Sequence, residues 1–133
     1  MKLRLLTILF FLIGVFYTNA QEPELQSSMV RGSEIYNDFC VACHMPAGEG
    51  IPFVFPPLAK SDYLKQQRTA SIKGVKFGQE GELIVNGETY NNTMAPMGLD
   101  DGEIADVMNY IMNSWGNSTN EMVTIKEVEA ITE

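Results

Sequence analysis

Cys40-Val41-Ala42-Cys43-His44 is the stretch of sequence that decides the fold. It holds both cysteines of the 133-residue chain and its only histidine. Two thiols on one turn of chain can add to the two vinyl groups of a single porphyrin, and the histidine that follows can offer an imidazole nitrogen to the iron. The pattern therefore predicts covalent attachment of a c-type haem.

Three other interpretations of these residues lead to different sites. A structural zinc site needs four ligands, and the motif supplies only three, too close in sequence to surround a metal ion. A thioredoxin-like dithiol is expected in a βαβ unit, and no parallel-strand pattern flanks the motif. A disulfide is compatible with the spacing, although it would close a loop of only four residues. The rest of the chain favours haem.

The first 20 residues have the pattern of a secretory signal peptide. Lys2 and Arg4 form a basic start, and the almost entirely apolar residues 5–17 lead to a small residue at Ala20, after which we expect cleavage. An uncleaved anchor is the alternative, but the apolar run is shorter than the roughly 20 residues of a membrane span. Because covalent haem attachment belongs on the oxidising side of a bacterial inner membrane, the predicted location is the periplasm.

The chain is strongly acidic. Its formal net charge is −8, and the signal segment contains two basic residues and no acidic ones, so cleavage lowers the charge to −10. Such a surface argues against nucleic acid and anionic membranes as partners. The remaining length fits one small domain, and no later segment is apolar enough to span a bilayer. We expect a monomer without a transmembrane segment in the mature chain.

The mature chain divides into an arm, a domain and a tail. Residues 21–28 are polar and contain Pro23, which predicts a flexible N-terminal arm. Residues 29–117 carry the structural patterns and form the predicted domain. Residues 118–133 are a polar C-terminal tail, in which a short amphipathic helix is compatible with residues 123–131.

Helical periodicity marks three main segments of the domain. The first runs from Met29 into the haem motif. The second covers residues 61–73, with a serine or aspartate cap at its start and Gly74 at its end. The third covers residues 102–114 after a capping aspartate at position 100 or 101. Its apolar stripe consists of Ile104, Val107, Met108, Ile111 and Met112.

A β-hairpin is predicted between the second and third helices. Asn86-Gly87 is a strong hairpin signal, and residues 83–85 and 89–90 are its two arms. The predicted fold class is therefore all-α, with three to four main helices and a small β-hairpin.

Gly32 is an unusual residue for the interior of the first helix, where glycine costs about 1 kcal/mol relative to alanine. Close contact with another helix would explain it, because a side chain would obstruct the approach. A frayed helix start explains it equally well.

Residues 45–58 form a loop, because their prolines and glycines interrupt any regular element. The apolar residues 53–55 make sense if this loop covers an apolar face, such as one side of a porphyrin. We expect a backbone carbonyl of segment 56–58 to accept the Nδ1–H of His44. Such a bond fixes the ring and makes the imidazole a better donor to iron.

The second axial position of the iron has few candidate ligands. Since the only histidine is already assigned, a thioether is the obvious choice, and a Met/His pair is the ligation of electron-carrying cytochromes. Two methionines belong to the stripe of the last helix, and Met45 adjoins His44 on the wrong side of the iron. Met94, in an extended loop, is the predicted ligand, and Met97 is the runner-up.

Further motifs accompany the haem motif in a characteristic order. They are Gly32-x-x-x-Tyr36, Gly48-x-Gly50, Phe55-Pro56-Pro57-Leu58-Ala59, Ile72-Lys73-Gly74, Val85-Asn86-Gly87-x-x-Tyr90, Met94 and Ser114-Trp115-Gly116-Asn117. With these motifs the chain resembles class I cytochrome c over residues 30–117. More narrowly, it is similar to the monohaem domains associated with nitrite reductases, caa3-type oxidases and quinohaemoprotein dehydrogenases.

The resemblance implies the cytochrome c fold around one covalently bound haem c with its iron. The residues that it implies for the site are Cys40, Cys43, His44, Pro56, Tyr90 and Met94. The cysteines would form thioethers, the histidine would be the proximal ligand and Met94 the distal one. In place of the Met-Pro of many relatives, this chain has Met94-Ala95-Pro96. The resemblance also implies that Gly32 and Tyr36 face Tyr110 where the terminal helices cross.

The function implied is a periplasmic electron carrier, or the electron-transfer subunit of a respiratory or dehydrogenase complex. With both axial positions filled by the protein, substrates cannot reach the iron, so we expect no enzymatic activity. Redox proteins would be the partners, in transient encounters through small interfaces. The alternative is a five-coordinate c-type haem protein that binds a gas or peroxide, which would need Met94 to be labile.

Overall fold

The computed structural model describes residues 21–119 and 121–133, so the predicted signal peptide lies outside the described residues. The elements are α1 (Gln21–Phe39), α2 (Val41–His44), α3 (Asp62–Gln66), α4 (Arg68–Phe77), β1 (Leu83–Val85), β2 (Glu88–Tyr90), α5 (Asp101–Ile111) and α6 (Ile125–Glu129). The two strands pair antiparallel. The fold is mostly helical with one small sheet, as the sequence predicts.

The centre of the fold is the crossing of α1 and α5, and Gly32 lies at the point of closest approach. A Cβ placed on Gly32 would lie 2.6 Å from the carbonyl carbon of Asp106, still closer to its oxygen, and 2.9 Å from Cβ of Tyr110. Gly32 is buried inside a continuous helix rather than at a frayed start. The close-contact interpretation of this glycine is therefore confirmed.

Three aromatic rings extend this crossing toward the haem motif. The ring centroid of Tyr36 lies 5.6 Å from that of Tyr110 and 4.9 Å from that of Trp115. The hydroxyl of Tyr36 donates a hydrogen bond of 2.7 Å to the backbone carbonyl of Met45. The helix crossing is thereby connected to the chain immediately after the haem motif.

Residues 21–28 correct the prediction of a flexible arm, because they form the first turns of α1. Ser28 is buried, and its hydroxyl donates to Asp106 Oδ1 at 2.6 Å across 78 residues of sequence. Arg31 forms a salt bridge with the same carboxylate. These contacts with α5 stabilise the helical conformation of a polar segment. Pro23 is tolerated because it lies in the first turn of the helix.

The second predicted helix is divided and extends further than expected. The break lies at Gln67, with φ −122° and ψ 48°, between α3 and α4. Helix α4 then continues through Gly74 and ends at Gly78, whose φ is +90°. The predicted end at Gly74 is thus wrong, because the positive φ that favours glycine at a helix end occurs only at Gly78. Ser61 caps α3, as predicted, by accepting a hydrogen bond from a backbone amide of the first turn.

The hairpin and the start of α5 follow the local signals in the sequence. Asn86 and Gly87 form the turn with φ values of 52° and 82°. The side chain of Asp100 accepts from the Glu103 amide at 2.9 Å, and the Glu103 carboxylate accepts from the Asp100 amide at 2.9 Å. This reciprocal pair is a capping box, and it sets the first residue of the helix.

The tail after residue 120 packs against the α1–α5 pair through Val123 and Val128, both fully buried. The side chain of Asn109, also fully buried, donates to the Val123 carbonyl and accepts from the Val123 amide. Its amide group also donates to Ser28 Oγ at 2.9 Å. A short helix in the tail is present at Ile125–Glu129, within the predicted residues 123–131.

Candidate functional site

The haem motif occupies a single helical turn at the end of α1. The backbone amides of Cys43 and His44 both donate to the carbonyl of Cys40, at 3.2 and 2.9 Å. Both thiols are free; that of Cys40 is partly buried, and Cys43 is exposed. The two thiols and the imidazole therefore emerge from one compact turn, as covalent haem attachment requires.

The imidazole of His44 is fixed by the loop that follows it. Its Nδ1 lies 3.0 Å from the backbone carbonyl of Pro56. Since a carbonyl can only accept, Nδ1 carries the proton, and Nε2 is the nitrogen left to coordinate iron. The predicted acceptor segment, residues 56–58, is confirmed, and the atom is the first carbonyl of that segment.

The protonation states of the motif follow from its burial. Burial lowers the pKa of His44, and the hydrogen bond to Pro56 opposes this effect without cancelling it. The neutral imidazole, which is the form that binds metals, is therefore favoured. Burial, with the neighbouring Cys43 adding to it, raises the pKa of Cys40 to about 11. Within residues 21–119 and 121–133, no three His, Cys, Asp or Glu side chains form a group that could hold a metal ion. The donors present fit covalent haem and one axial imidazole.

The proximal loop, residues 45–58, is held by its own backbone. The carbonyl of Gly48 accepts from the amides of Leu58 and Ala59, at 2.7 and 2.8 Å. Gly48 has φ +64°, and a Cβ there would lie 2.8 Å from a ring carbon of Trp115, so only glycine fits. Among the apolar residues 53–55, Phe55 is partly buried and the other two are exposed. The carbonyl of Pro56 is therefore presented to His44 from a closed and ordered turn.

Residues 91–98, the distal loop, contain Met94, which the structure holds against α4. The amide and carbonyl of Met94 each form a hydrogen bond of 2.8 Å with the backbone of Gln79. The Cε of Met94 lies 3.8 Å from the position of a Cβ on Gly74. In the described part of the chain, the backbone of Met97 has no such hydrogen bond. The structure therefore anchors Met94 more firmly than its runner-up.

Asn92 connects the distal loop to the proximal one. Its side-chain amide donates to the carbonyl of Val54 at 2.9 Å. Tyr90 is buried in β2, opposite Leu83 in the sheet. No hydrogen bond of the described residues joins Met94 or Tyr90 to His44. The structure thus brings together His44 and Pro56 directly, and a hydrogen bond from Asn92 joins the two loops.

Sequence reasoning missed three residues that support the distal loop: the side chain of Asn92, the backbone of Gln79, and Gly78. A Cβ on Gly78 would lie 2.8 Å from the Met94 carbonyl oxygen. The signal for Gly78 was its place after an uninterrupted helical pattern, which Gly74 obscured. Gln79 acts through its backbone, and no property of its side chain indicates that role.

Comparison with known proteins agrees with this geometry. Residues 29–115 match the family model described as Cytochrome c. The chain is 38% identical over 92 residues to cytochrome c-552 of Thermus thermophilus, covering 65% of this chain and 70% of that relative. The region matched by the family model includes the haem motif, the proximal loop and Met94.

Other relatives are cytochrome subunits of dehydrogenases. The cytochrome c subunit of alcohol dehydrogenase (quinone) from Gluconobacter oxydans is 29% identical over 104 residues, which cover 75% of this chain and 21% of the relative. The cytochrome c subunit of gluconate 2-dehydrogenase from Pantoea cypripedii is 34% identical over 105 residues, covering 75% of this chain and 23% of the relative. The chain thus spans less than a quarter of the length of these subunits. From the family match and the geometry of the motif together, this chain belongs to the cytochrome c family, and its cofactor is a covalently bound haem c with its iron.

Proposed function

We propose that this protein is an exported monohaem electron carrier, or the electron-transfer subunit of a larger complex, with His44 and Met94 as the axial ligands. The observation that carries the proposal is the hydrogen bond from His44 Nδ1 to the Pro56 carbonyl, on the same turn as two free thiols. This bond orients Nε2 for iron. When bound, the haem supplies reversible one-electron chemistry.

The protein would supply two ligands from separate segments, His44 from the helical turn of the haem motif and Met94 from the distal loop. His44 is fixed from the proximal loop, and Met94 is fixed by its backbone pair with Gln79. Residues held in this way would keep similar coordination of a bound iron in both oxidation states, and with both ligands in place exogenous substrates would be excluded from the iron. These features support electron transfer rather than catalysis at the iron.

The proposed setting is the bacterial periplasm, after removal of residues 1–20. The structure describes no helix that combines the length and the apolar character needed to cross a membrane. The dehydrogenase subunits among the relatives support redox proteins as partners, met in transient encounters by a monomer with an acidic surface. Co-purification would separate a permanent subunit from a diffusing carrier.

Visible spectra of the exported holoprotein test the ligand assignment. We would compare the wild type with Met94→Ala and the matched control Met97→Ala, each in the ferric state, in the ferrous state, and in the ferrous state with carbon monoxide. We expect the wild type and Met97→Ala to show the far-red ferric band of methionine ligation and no carbon monoxide binding. We expect Met94→Ala to lose the band, to bind carbon monoxide and to have a lower reduction potential.

Two results would contradict these expectations, one concerning the ligand and the other the function. If Met97→Ala loses the band and Met94→Ala keeps it, the distal ligand is Met97. If the wild-type ferrous protein binds carbon monoxide readily, the carrier proposal is wrong, and the five-coordinate haem protein that binds a gas or peroxide takes its place. Mass spectrometry of the same sample checks cleavage after Ala20 and the mass of the bound haem.

A further inference from the structure

The C-terminal tail contacts both ends of α4, the helix that supports the distal loop. At the start of α4, Arg68 Nε and Nη2 donate to the two carboxylate oxygens of Glu127, at 2.7 and 2.8 Å. Arg68 Nη1 also donates to the backbone carbonyl of Glu121 at 3.2 Å. A planar guanidinium paired in this way fixes direction as well as distance.

The other end of α4 is held through Lys76. Its ammonium group donates to the backbone carbonyl of Val128 at 2.8 Å and lies 3.0 Å from Asp101 Oδ1. Val128 is fully buried in the core, so this carbonyl is a fixed acceptor. Lys76 therefore joins α4, the first residue of α5 and the tail at one point.

The tail itself is fixed to the core rather than lying loosely on it. Both backbone groups of Val123 are bonded to the fully buried side chain of Asn109, at 2.6 and 2.9 Å. Removing one member of such a buried set leaves unpaired polar groups, which is costly. Arg68 and Lys76 therefore bind to a tail whose position is fixed by its hydrogen bonds to Asn109 in the core.

The last turn of α4 carries the distal loop. Gly74 faces the Met94 methyl group, Gly78 is in close contact with the Met94 carbonyl, and Gln79 forms both backbone bonds to Met94. A displacement of α4 along or about its axis would therefore displace Met94. We propose that the C-terminal tail is a positioning element for the distal methionine, acting through Arg68 and Lys76 on α4; this rests on the proposed role of Met94 as a ligand.

The test uses the full-length exported holoprotein with two pairs of variants. Glu127→Gln removes the charge paired with Arg68, and Glu129→Gln makes the same change at an exposed position of the same short helix. Lys76→Met removes the second link, and Lys73→Met is its matched control at an exposed position of α4.

The first measurement is amide hydrogen exchange at Gln79 and Met94 in the ferrous protein, compared between each variant and the wild type, a comparison that can be made whichever residue binds the iron. Both amides are donors in the Gln79–Met94 pair, so their exchange reports opening of the loop. We expect exchange about threefold faster in Glu127→Gln and in Lys76→Met, as is typical of a partly exposed ion pair, and unchanged in both controls. The second measurement is imidazole binding to the ferric protein, which we expect to become tighter by a similar factor, because imidazole competes with the Met94 thioether.

Two results would overturn the proposal, and one would affect only the ligand assignment. If α6 amides exchange faster in Glu127→Gln while Gln79 and Met94 do not, the tail is a local packing element. Equal effects of Glu129→Gln and Glu127→Gln would show a nonspecific charge effect. If exchange at Gln79 and Met94 responds as expected but imidazole affinity does not, the tail positions the loop and Met94 is not the ligand.

Discussion

Replacing Gly32 with alanine tests the close approach of α1 and α5. Alanine is favoured over glycine in a helix by about 1 kcal/mol, so local propensity alone predicts a gain. The new Cβ, however, would lie 2.6 Å from the Asp106 carbonyl carbon and 2.9 Å from Tyr110 Cβ. Because the obstacle is largely backbone, no rotamer change relieves it, and overpacking costs up to about 3 kcal/mol. We expect a net destabilisation of about 2 kcal/mol.

Equilibrium unfolding in urea and thermal unfolding of the ferric holoprotein measure this loss. For a domain of this size it corresponds to a melting temperature lower by about 8 °C. The control is Gly102→Ala in α5, where a Cβ meets only side-chain atoms, at 3.2 and 3.8 Å. Its effect should stay within about 1 kcal/mol. If Gly32→Ala is as stable as the wild type, the steric explanation for this glycine is wrong.

Three further predictions concern polar groups. Asn109→Leu leaves both backbone groups of Val123 without partners in the core, and we expect a loss of about 3 kcal/mol in urea unfolding. The hydrogen bond from Arg68 lowers the pKa of Glu127 below its ordinary value of 4.5. The native state therefore binds this proton less readily than the unfolded state, so the stability difference between wild type and Glu127→Gln is present above that value and disappears as the pH falls through the lowered pKa. Asp100→Ala removes the capping box of α5 and should cost about 1 kcal/mol.

Each of these predictions has a matched control in the chain. Asn113→Ala changes a half-buried asparagine one turn after Asn109 and should cost less than half as much. Glu129→Gln and Asp38→Ala each change an exposed carboxylate, and each should change stability by less than about 0.5 kcal/mol. A stability loss in Asn109→Leu no larger than that of Asn113→Ala would contradict the role of the buried amide. Likewise, a pH-independent effect of Glu127→Gln would rule out the ion pair as its cause.

The features that the sequence predicts correctly depend on short-range signals. Asn86-Gly87 specifies the hairpin turn through positive φ, which few other residue pairs accept. Asp100 with Glu103 specifies the start of α5 through its own side-chain bonds. The bond from His44 to the segment at 56–58 was also predictable, because a loop that covers one side of a porphyrin brings its backbone carbonyls close to the proximal imidazole.

The features that the sequence does not predict depend on contacts between distant residues. Residues 21–28 are helical because Ser28 and Arg31 bind the carboxylate of Asp106 on α5. No local sequence pattern indicates these contacts. The role of Asn109 is equally hidden, because a single asparagine beside an apolar stripe resembles the polar face of the helix. Gly74 is a third example. In the structure it lies buried inside α4, next to Met94, whereas in the sequence it is only a residue that commonly ends a helix.

The α1–α5 crossing also bears on the order in which the chain can fold. The partners of Ser28 and Arg31 lie 78 and 75 residues further along the sequence, so the crossing closes a long loop of chain that contains the haem motif. Contacts of such separation form late, because the loop between them must be closed first. Until then, α1 has no partner for its Gly32 face, and the contacts of the Tyr36 ring with Tyr110 and Trp115 next to the haem motif are not yet formed. The interval before this closure is therefore a natural period of access for covalent haem attachment.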